Sequence, residues 1–314
     1  MSSALSGVLV VDKPSGITSH DVVAVARRAL DERGIGHTGT LDPMATGVLP
    51  LAIGKATRLV RFLSASDKDY DAVIRFGRTT DSYDVTGTTT GDSPMRPTRT
   101  AVEFGLLALS GSYDQMPPSY SAKKVEGRRA YSLARRDQPV ELKPVPVTVS
   151  RAALTAFDDD TASVSITCSA GFYVRSFAHE LGRMLGCGAC LEALRRTRNG
   201  EFTLDAALPF EWLAGAPDAR ELQLSRLQSA LVAPAALLSE MPAVELTVQG
   251  LDWVAHGRDL GPAQWRALAN HRNSERMPVA TETWVRLFDA GGDLVALATR
   301  DPAGAVLHPS VVLI

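Results

Sequence analysis

Residues 36–47 read GHTGTLDPMATG. One carboxylate, Asp42, lies among three glycines, three threonines, a proline and a histidine. Gly and Pro are poor in helix interiors, and Gly, Pro and Asp are depleted from strands, so the run predicts a tightly shaped loop. Glycine at this density lets the backbone come close to something else. An Asp-Pro turn, with Asp42 bonding its own backbone, meets the same composition, and composition alone favours it.

Regular elements are predicted on both sides of the loop. GVLVVD (7–12) reads as a buried strand ending in the turn KPSG. SHDVVAVARRALDE (19–32) reads as a helix capped by Ser19, with Val22, Val25, Ala26, Ala29 and Leu30 on one face. VLPLAIG (48–54) predicts a strand and KATRLVRFL (55–63) a helix. YDAVIRFG (70–77) alternates, with Tyr70, Ala72, Ile74 and Phe76 on one face, as in a half-buried strand. RTTDSYDVTGTTTGDSPMRPTRT (78–100) is a long polar loop with room for short strands, and AVEFGLLALSG is a short helix. Residues 140–168 hold two or three strand patterns, and FYVRSFAHELGRMLG (172–186) is an amphipathic helix. Near residue 240 the texture changes at LVAPAALLSEMPAVELT. The short strands WVRLFDAGGDLVALAT and AVLHPSVVLI, turned at AGGD, predict a small β-barrel after it.

Composition limits the function classes. The chain has 314 residues, 45% of them hydrophobic and 22% charged, which suits a soluble globular protein of two domains. Lys and Arg number 33 against 35 Asp and Glu, so the formal charge of −2 does not advertise a nucleic-acid partner, and any basic face must be local. Residues 120–136 hold Lys123, Lys124, Arg128, Arg129, Arg135 and Arg136 against Glu126 alone, and LRRTRNG adds Arg195, Arg196 and Arg198. Such clusters suit an RNA backbone, and equally a solvated helix face. Three cysteines are too few and too odd in number for a disulfide framework. MSSALSGVLVVDKP lacks a signal-peptide pattern, and no apolar run approaches a membrane span, so a cytoplasmic location is expected.

Several motifs fail on inspection. IGKAT (53–57) lacks the first glycine of a phosphate-binding loop, and Ala56 stands where Ser or Thr should hold magnesium. GCGACL (186–191) follows a helix rather than a strand, unlike a dinucleotide fingerprint. Cys187 and Cys190, with Cys168 and His179, match no common zinc spacing, and buried apolar cysteines on a helix are the simpler reading. VLVVDKPSGIT (8–18) is similar to the DKTGT loop of aspartyl-phosphate enzymes, with Asp12 as nucleophile. That chemistry wants magnesium and more acids, whereas the one dense acid cluster, Asp158, Asp159 and Asp160, reads as an exposed turn.

The longer stretch GHTGTLDPMATGVLPLAIGKATR (36–58) resembles the catalytic motif of the pseudouridine synthases, most closely the bacterial enzymes that modify uridine 55 of tRNA. Four further blocks agree in order: KPSGITSHDVV (13–23), KDYDAVIRFGRTTDSYDVTG (68–87), QMPPSYSAKKVEGRRAYSLAR (115–135) and CSAGFYVRSFAHELGRMLGCGACLEALRRTRNGEF (168–202). Departures are confined to packing positions, such as Phe172 for a usual Thr and Phe76 for a common Leu. The resemblance implies an α/β fold of α+β type, in which a mixed, largely antiparallel sheet cradles the site. Residues 1–240 would be the catalytic domain and 241–314 a small RNA-binding barrel of PUA type.

The implied reaction turns uridine into pseudouridine on a base swung out of the tRNA T-loop. Nothing is oxidised or lost, so neither cofactor nor metal is called for. By the same resemblance Asp42 is the nucleophile, Arg175 its ion-pair partner, and Tyr70 a ring that stacks on uracil and accepts a proton. His37 would fill the gap left by the base, Asp84 would position neighbours, Leu194 would pack on uracil, and Lys13 and Lys123 would meet phosphate or support the site. The expected partner is the tRNA T-arm, with no membrane and no obligate protein partner, the chain acting as a monomer.

Overall fold

The computed structural model describes residues 5–118, 142–215, 220–268, 284–301 and 304–314, with the backbone of 124–125 and 128–129 besides. The first strand explains its own composition. β1 (Gly7–Lys13) is apolar without alternation because both its faces are covered. Leu9 and Val11 join one core, while Val8 and Val10 join another. β3 (Thr46–Ile53) pairs antiparallel with β1 and is divided the same way: Leu49, Leu51 and Ile53 face the first core and Val48 the second. Between them lie α1 (Ser19–Leu30) and the three-residue β2 (Ile35–His37), which lines up against β3.

Helix α1 is capped by Thr18, not by Ser19. The Thr18 hydroxyl accepts from the Asp21 N–H, and Asp21 accepts the Thr18 N–H in return, closing a capping box. Ser19 is buried instead and serves the loop described below. Residues 55–63, read as one helix, fall in a 3-10 segment (Gly54–Leu59) and the short α2 (Val60–Ser64).

β4 (Lys68–Phe76) keeps its predicted alternation, with Tyr70, Ala72, Ile74 and Phe76 buried and Asp71 exposed. The polar loop after it carries β5 (Arg78–Thr80) and β6 (Thr89–Asp92), and α3 (Arg99–Ala108) follows. β7 (Gly111–Gln115), β8 (Val145–Phe157) and β9 (Thr161–Cys168) form an antiparallel meander joined to β4. The chain then enters α4 (Val174–Met184) and β10 (Ala189–Asn199). Helix α4 stops before CGAC because Gly186 and Gly188 adopt φ of 75° and 71°, which side chains resist. The three cysteines are free and buried, but Cys190 sits in β10 and Cys168 in β9, not on a helix.

Two short strands, β11 (Phe202–Thr203) and β12 (Leu208–Pro209), complete a ten-stranded sheet. Its main path runs β12-β1-β3-β10-β4-β9-β8-β7, with β2 and β11 at the sides. Only the β1–β12 and β3–β10 pairings are parallel, so the sheet is mixed and largely antiparallel.

A second, five-stranded sheet is built from β13 (Ala243–Leu246), β14 (Trp265–Ala267), β15 (Trp284–Phe288), β16 (Leu294–Arg300) and β17 (Leu307–Val312). Phe288, Leu294, Leu297 and Leu313 pack into the core shared with Val8, Val10 and Val48. The segment between the sheets is pinned: Arg286, 2% exposed, donates to the carbonyls of Leu237, Ser239 and Met241. No described helix is long and apolar enough to cross a membrane.

Candidate active site

The loop quoted first joins β2 to β3, and its shape is held from behind. Gly47 has φ of 102°, and a Cβ there would lie 2.2 Å from the Arg196 carbonyl oxygen, so only glycine lets β3 pass β10. The KPSGITS segment supplies the other supports. Lys13, wholly buried, donates to the carbonyls of Pro14 (2.8 Å), Pro43 (3.2 Å) and Ala45 (2.6 Å). The Gly16 N–H donates to Pro43 O at 2.8 Å, and the Ser15 hydroxyl to Met44 O at 3.2 Å. The Ser19 hydroxyl accepts from the Leu41 N–H (2.8 Å) and donates to the Leu41 carbonyl (3.0 Å). Every residue from Leu41 to Ala45 except Asp42 is thus tied down by the N-terminal segment, and Asp42 is tied by its carboxylate.

Arg175, at the second position of α4, reaches that carboxylate with a fork. Nε lies 2.8 Å from Oδ2 and Nη2 3.1 Å from Oδ1. The remaining nitrogen, Nη1, donates to Ser82 O at 3.0 Å and stands 3.6 Å from Asp84 Oδ2. The Arg175 side chain is 6% exposed and that of Asp42 is 33% exposed, so the acid faces open space while its partner does not. A planar guanidinium in this geometry fixes both the charge and the rotation of the carboxylate. Burial pushes the Asp42 carboxyl above the usual carboxylate range; the Arg175 charge opposes this, and the nearby Asp84 carboxylate reinforces it.

Asp84 is buried among donors of its own loop, accepting from Ser82 Oγ (2.9 Å), Thr86 N (2.9 Å) and Thr86 Oγ1 (2.5 Å). Tyr83 stands at φ 64° and stacks on His179 of α4 with ring centroids 3.9 Å apart. The stack, one helical turn from Arg175, clamps the Asp84 loop to the helix that carries the arginine.

These groups open on a cavity of about 390 Å³ lined by His37, Asp42, Lys68, Tyr70, Arg175, Leu194 and Arg196, among others. That volume lies toward the small end of ligand sites, which run from about 300 to 1,000 Å³. It suits one nucleoside and not a paired stem. A second hollow of about 480 Å³ lies on the other side of Leu194, where Glu192 is already paired with Arg75 at 2.8 Å. The paired carboxylate of Asp42 makes the first cavity the chemical one.

Six of the eight residues singled out from sequence for the site line the cavity or touch the Asp42–Arg175 pair: His37, Asp42, Tyr70, Asp84, Arg175 and Leu194. Lys13 belongs to the supporting layer, where its amine meets carbonyls and burial pushes its pKa down to about 8. Lys123 and the basic run around it lie outside the described residues. The other basic run is not a free RNA-facing patch. Arg195 forks onto Asp12 (3.0 and 2.7 Å), Arg198 onto Asp69 (2.6 and 2.9 Å), and Arg196 is buried. The Asp12 contact also accounts for the acid near the end of β1. Among the described residues no three His, Cys, Asp or Glu side chains are gathered as a metal-binding group.

Sequence reasoning missed Ser19, Lys68 and the individual role of Arg196. Lys68 is buried at the cavity wall, its amine on the carbonyls of Ser64 and Ser66, and burial lowers its pKa to about 8. The available signal was position: Lys68 falls on the buried face of the alternating strand two residues before Tyr70.

Known proteins place this geometry. A family model described as the TruB family pseudouridylate synthase N-terminal domain matches residues 27–174, and one described as the tRNA pseudouridylate synthase B C-terminal domain matches 175–235. The tRNA pseudouridine synthase B of Solibacter usitatus (strain Ellin6076) is 42% identical over 310 residues, covering 98% of this chain and 100% of that one. The protein of the same name from Mycobacterium sp. (strain KMS) is 43% identical over 264 residues, covering 82% and 85%. Among solved structures, a chain of a Cbf5-Nop10-Gar1 complex superposes with a TM-score of 0.74 at 24% identity, covering 98% of this chain and 85% of that chain. A chain of the archaeal box H/ACA sRNP Nop10-Cbf5 complex gives 0.72 at 23%, which at such identity establishes the shared fold. With two consecutive family models and relatives above 40% identity over most of its length, the chain belongs to the TruB family of pseudouridylate synthases.

Proposed function

We propose that this protein isomerises uridine 55 of tRNA to pseudouridine, acting on the T-arm with Asp42 as nucleophile. The observation that carries the reading is the Asp42–Arg175 fork at the mouth of a cavity of nucleoside size. A base in a folded T-loop cannot reach this acid until it is swung out, at a cost of about a few kcal/mol. His37, which lines the cavity, would occupy the vacated stack, and Leu194 and the Tyr70 ring would hold the uracil.

In the reaction Asp42, kept ionised by Arg175, attacks the nucleoside as the C1′–N1 bond breaks. The uracil turns within the cavity, and a C1′–C5 bond forms as the bond between Asp42 and C1′ breaks and releases the carboxylate. The proton lost from C5 is taken up by Tyr70 as the acceptor, and N1 gains a proton, so the product is an isomer of the substrate. Residues 1–240 carry this chemistry, and the sheet of 241–314 acts as a PUA-like module that adds affinity for RNA. The chain works as a monomer in the cytoplasm, needing no obligate protein partner, membrane, metal or cofactor.

The test is to incubate purified protein with a T-arm stem-loop and map pseudouridine at single-nucleotide resolution. Conversion at the T-loop uridine is expected, and its abolition in Asp42→Asn with RNA affinity kept within about 3-fold. Wild-type conversion by Asp42→Asn, or modification elsewhere only, refutes the assignment.

A further inference from the structure

We propose that Arg196 is a positioning residue of the reaction, one guanidinium that holds the backbone on both sides of Asp42 and stands beside Tyr70 in the cavity wall. The inference rests on the reading of Asp42 and Tyr70 as reacting groups. Its basis is a row across three adjacent strands: Gly47 of β3, Arg196 of β10 and Tyr70 of β4 are direct cross-strand neighbours. The glycine makes room for the Arg196 backbone, and the tyrosine lies on the other side.

The donors of the side chain fall on both ends of the Asp42 loop. Nη2 donates to Gly39 O at 3.0 Å, Nη1 to Thr40 O at 3.4 Å, and Nε to Val48 O at 2.8 Å. The first two acceptors precede Asp42 and the third follows it. Across the strand pair, Tyr70 lines the same cavity wall as Arg196 and Asp42. The Arg196 charge also opposes the upward push that burial gives the Tyr70 phenol.

Burial at this cost needs a reason. Arg196 is 1% exposed, and among the described residues no carboxylate lies within ion-pair distance of it. Its flanking arginines differ, since Arg195 and Arg198 each have an acid of their own. A buried cation whose hydrogen bonds go to carbonyls is an expensive way to stabilise a fold. Lysine would keep the charge but lose the fork that spans the loop ends.

The experiment uses the full chain and T-arm RNA. Arg196→Lys, Arg196→Gln and Tyr70→Phe are compared by single-turnover rate at saturating enzyme and by filter-binding Kd, with folding checked by circular dichroism. The expected result is a rate about 10- to 100-fold below wild type in Arg196→Lys with Kd within about 3-fold, and a larger fall in Arg196→Gln. In protein labelled with 13C at tyrosine Cζ, the resonance assigned to Tyr70 by its absence in Tyr70→Phe moves in Arg196→Lys. A wild-type rate in Arg196→Lys, or a Kd weakened tenfold with the saturated rate intact, overturns the inference; the second outcome makes Arg196 an RNA contact. A wild-type rate in Tyr70→Phe would instead remove Tyr70 from the chemistry. Should both Arg196 variants fail to fold, Gly39→Val presses a side chain toward Nη1, which already lies 3.4 Å from where a Cβ would stand. The same loss of rate without loss of affinity is then expected, and a wild-type rate overturns the proposal.

Discussion

Replacing Arg175 by Gln tests the central pair most directly. The substitution removes the charge paired with both Asp42 and Asp84, whose carboxylates lie 2.8 and 3.6 Å from the guanidinium. Breaking a buried pair by deleting one partner costs about 3–5 kcal/mol. Asp42 is 33% exposed, so water relieves part of this, and about 3 kcal/mol is the expected loss. At about 2 °C per kcal/mol for a chain of this size, the melting temperature should fall by roughly 6 °C. The same loss, felt at the reacting carboxylate, predicts a rate about 100-fold lower, since each 1.36 kcal/mol is about tenfold. Adding Asp84→Asn removes one of the two stranded charges while keeping the Oδ1 acceptor for Ser82 and Thr86. The double variant should regain about half the lost stability and none of the rate. Thermal melts and single-turnover assays of the wild type and the two variants decide it. A wild-type melting temperature in Arg175→Gln, or a double variant less stable than Arg175→Gln alone, would refute the electrostatic reasoning.

Other outcomes follow from the same geometry. Tyr70→Phe should keep RNA binding and lose most turnover; unchanged turnover removes the hydroxyl from the reaction. Gly47→Ala must place a Cβ 2.2 Å from a backbone oxygen at φ 102°, so it should cost more than about 3 kcal/mol, read as a denaturant midpoint or as insoluble protein. The pH–rate profile should lose activity with falling pH at a value above the usual carboxylate range. The sign follows because burial raises the Asp42 pKa and only its ionised form reacts. Arg175→Gln, lacking the opposing charge, should move that limb further up, and an unmoved limb would mean that another group sets it.

Much of the fold was legible in the residues. The alternation of 70–76 set which side chains of β4 face inward, and the Gly and Pro content of 36–47 required a loop. These depend on a residue and its near neighbours, which is where sequence pattern carries information. Motif likeness also picked out Asp42, Tyr70 and Arg175 as a set, although it carries no distances. The cap of α1 was misplaced by one residue because Ser19 and Thr18 are equally able to cap, and only the position of Leu41, far along the chain, draws Ser19 inward.

The charges were decided by tertiary structure. Arg195, Arg196 and Arg198 look alike in LRRTRNG, and the partners that separate them, Asp12, the Gly39–Val48 carbonyls and Asp69, come from three other segments. Arg175 reads as a helix residue with a partner or with none until α4 is laid against the Asp42 loop, 133 residues earlier. The sequence by itself determined the strands and the loop, because local propensity and residue type suffice for those, and its motif likeness implied the kind of chemistry. Which cations are neutralised, buried or left facing the cavity depends on distances between remote segments, and Coulomb and desolvation terms exist only once the fold has set those distances.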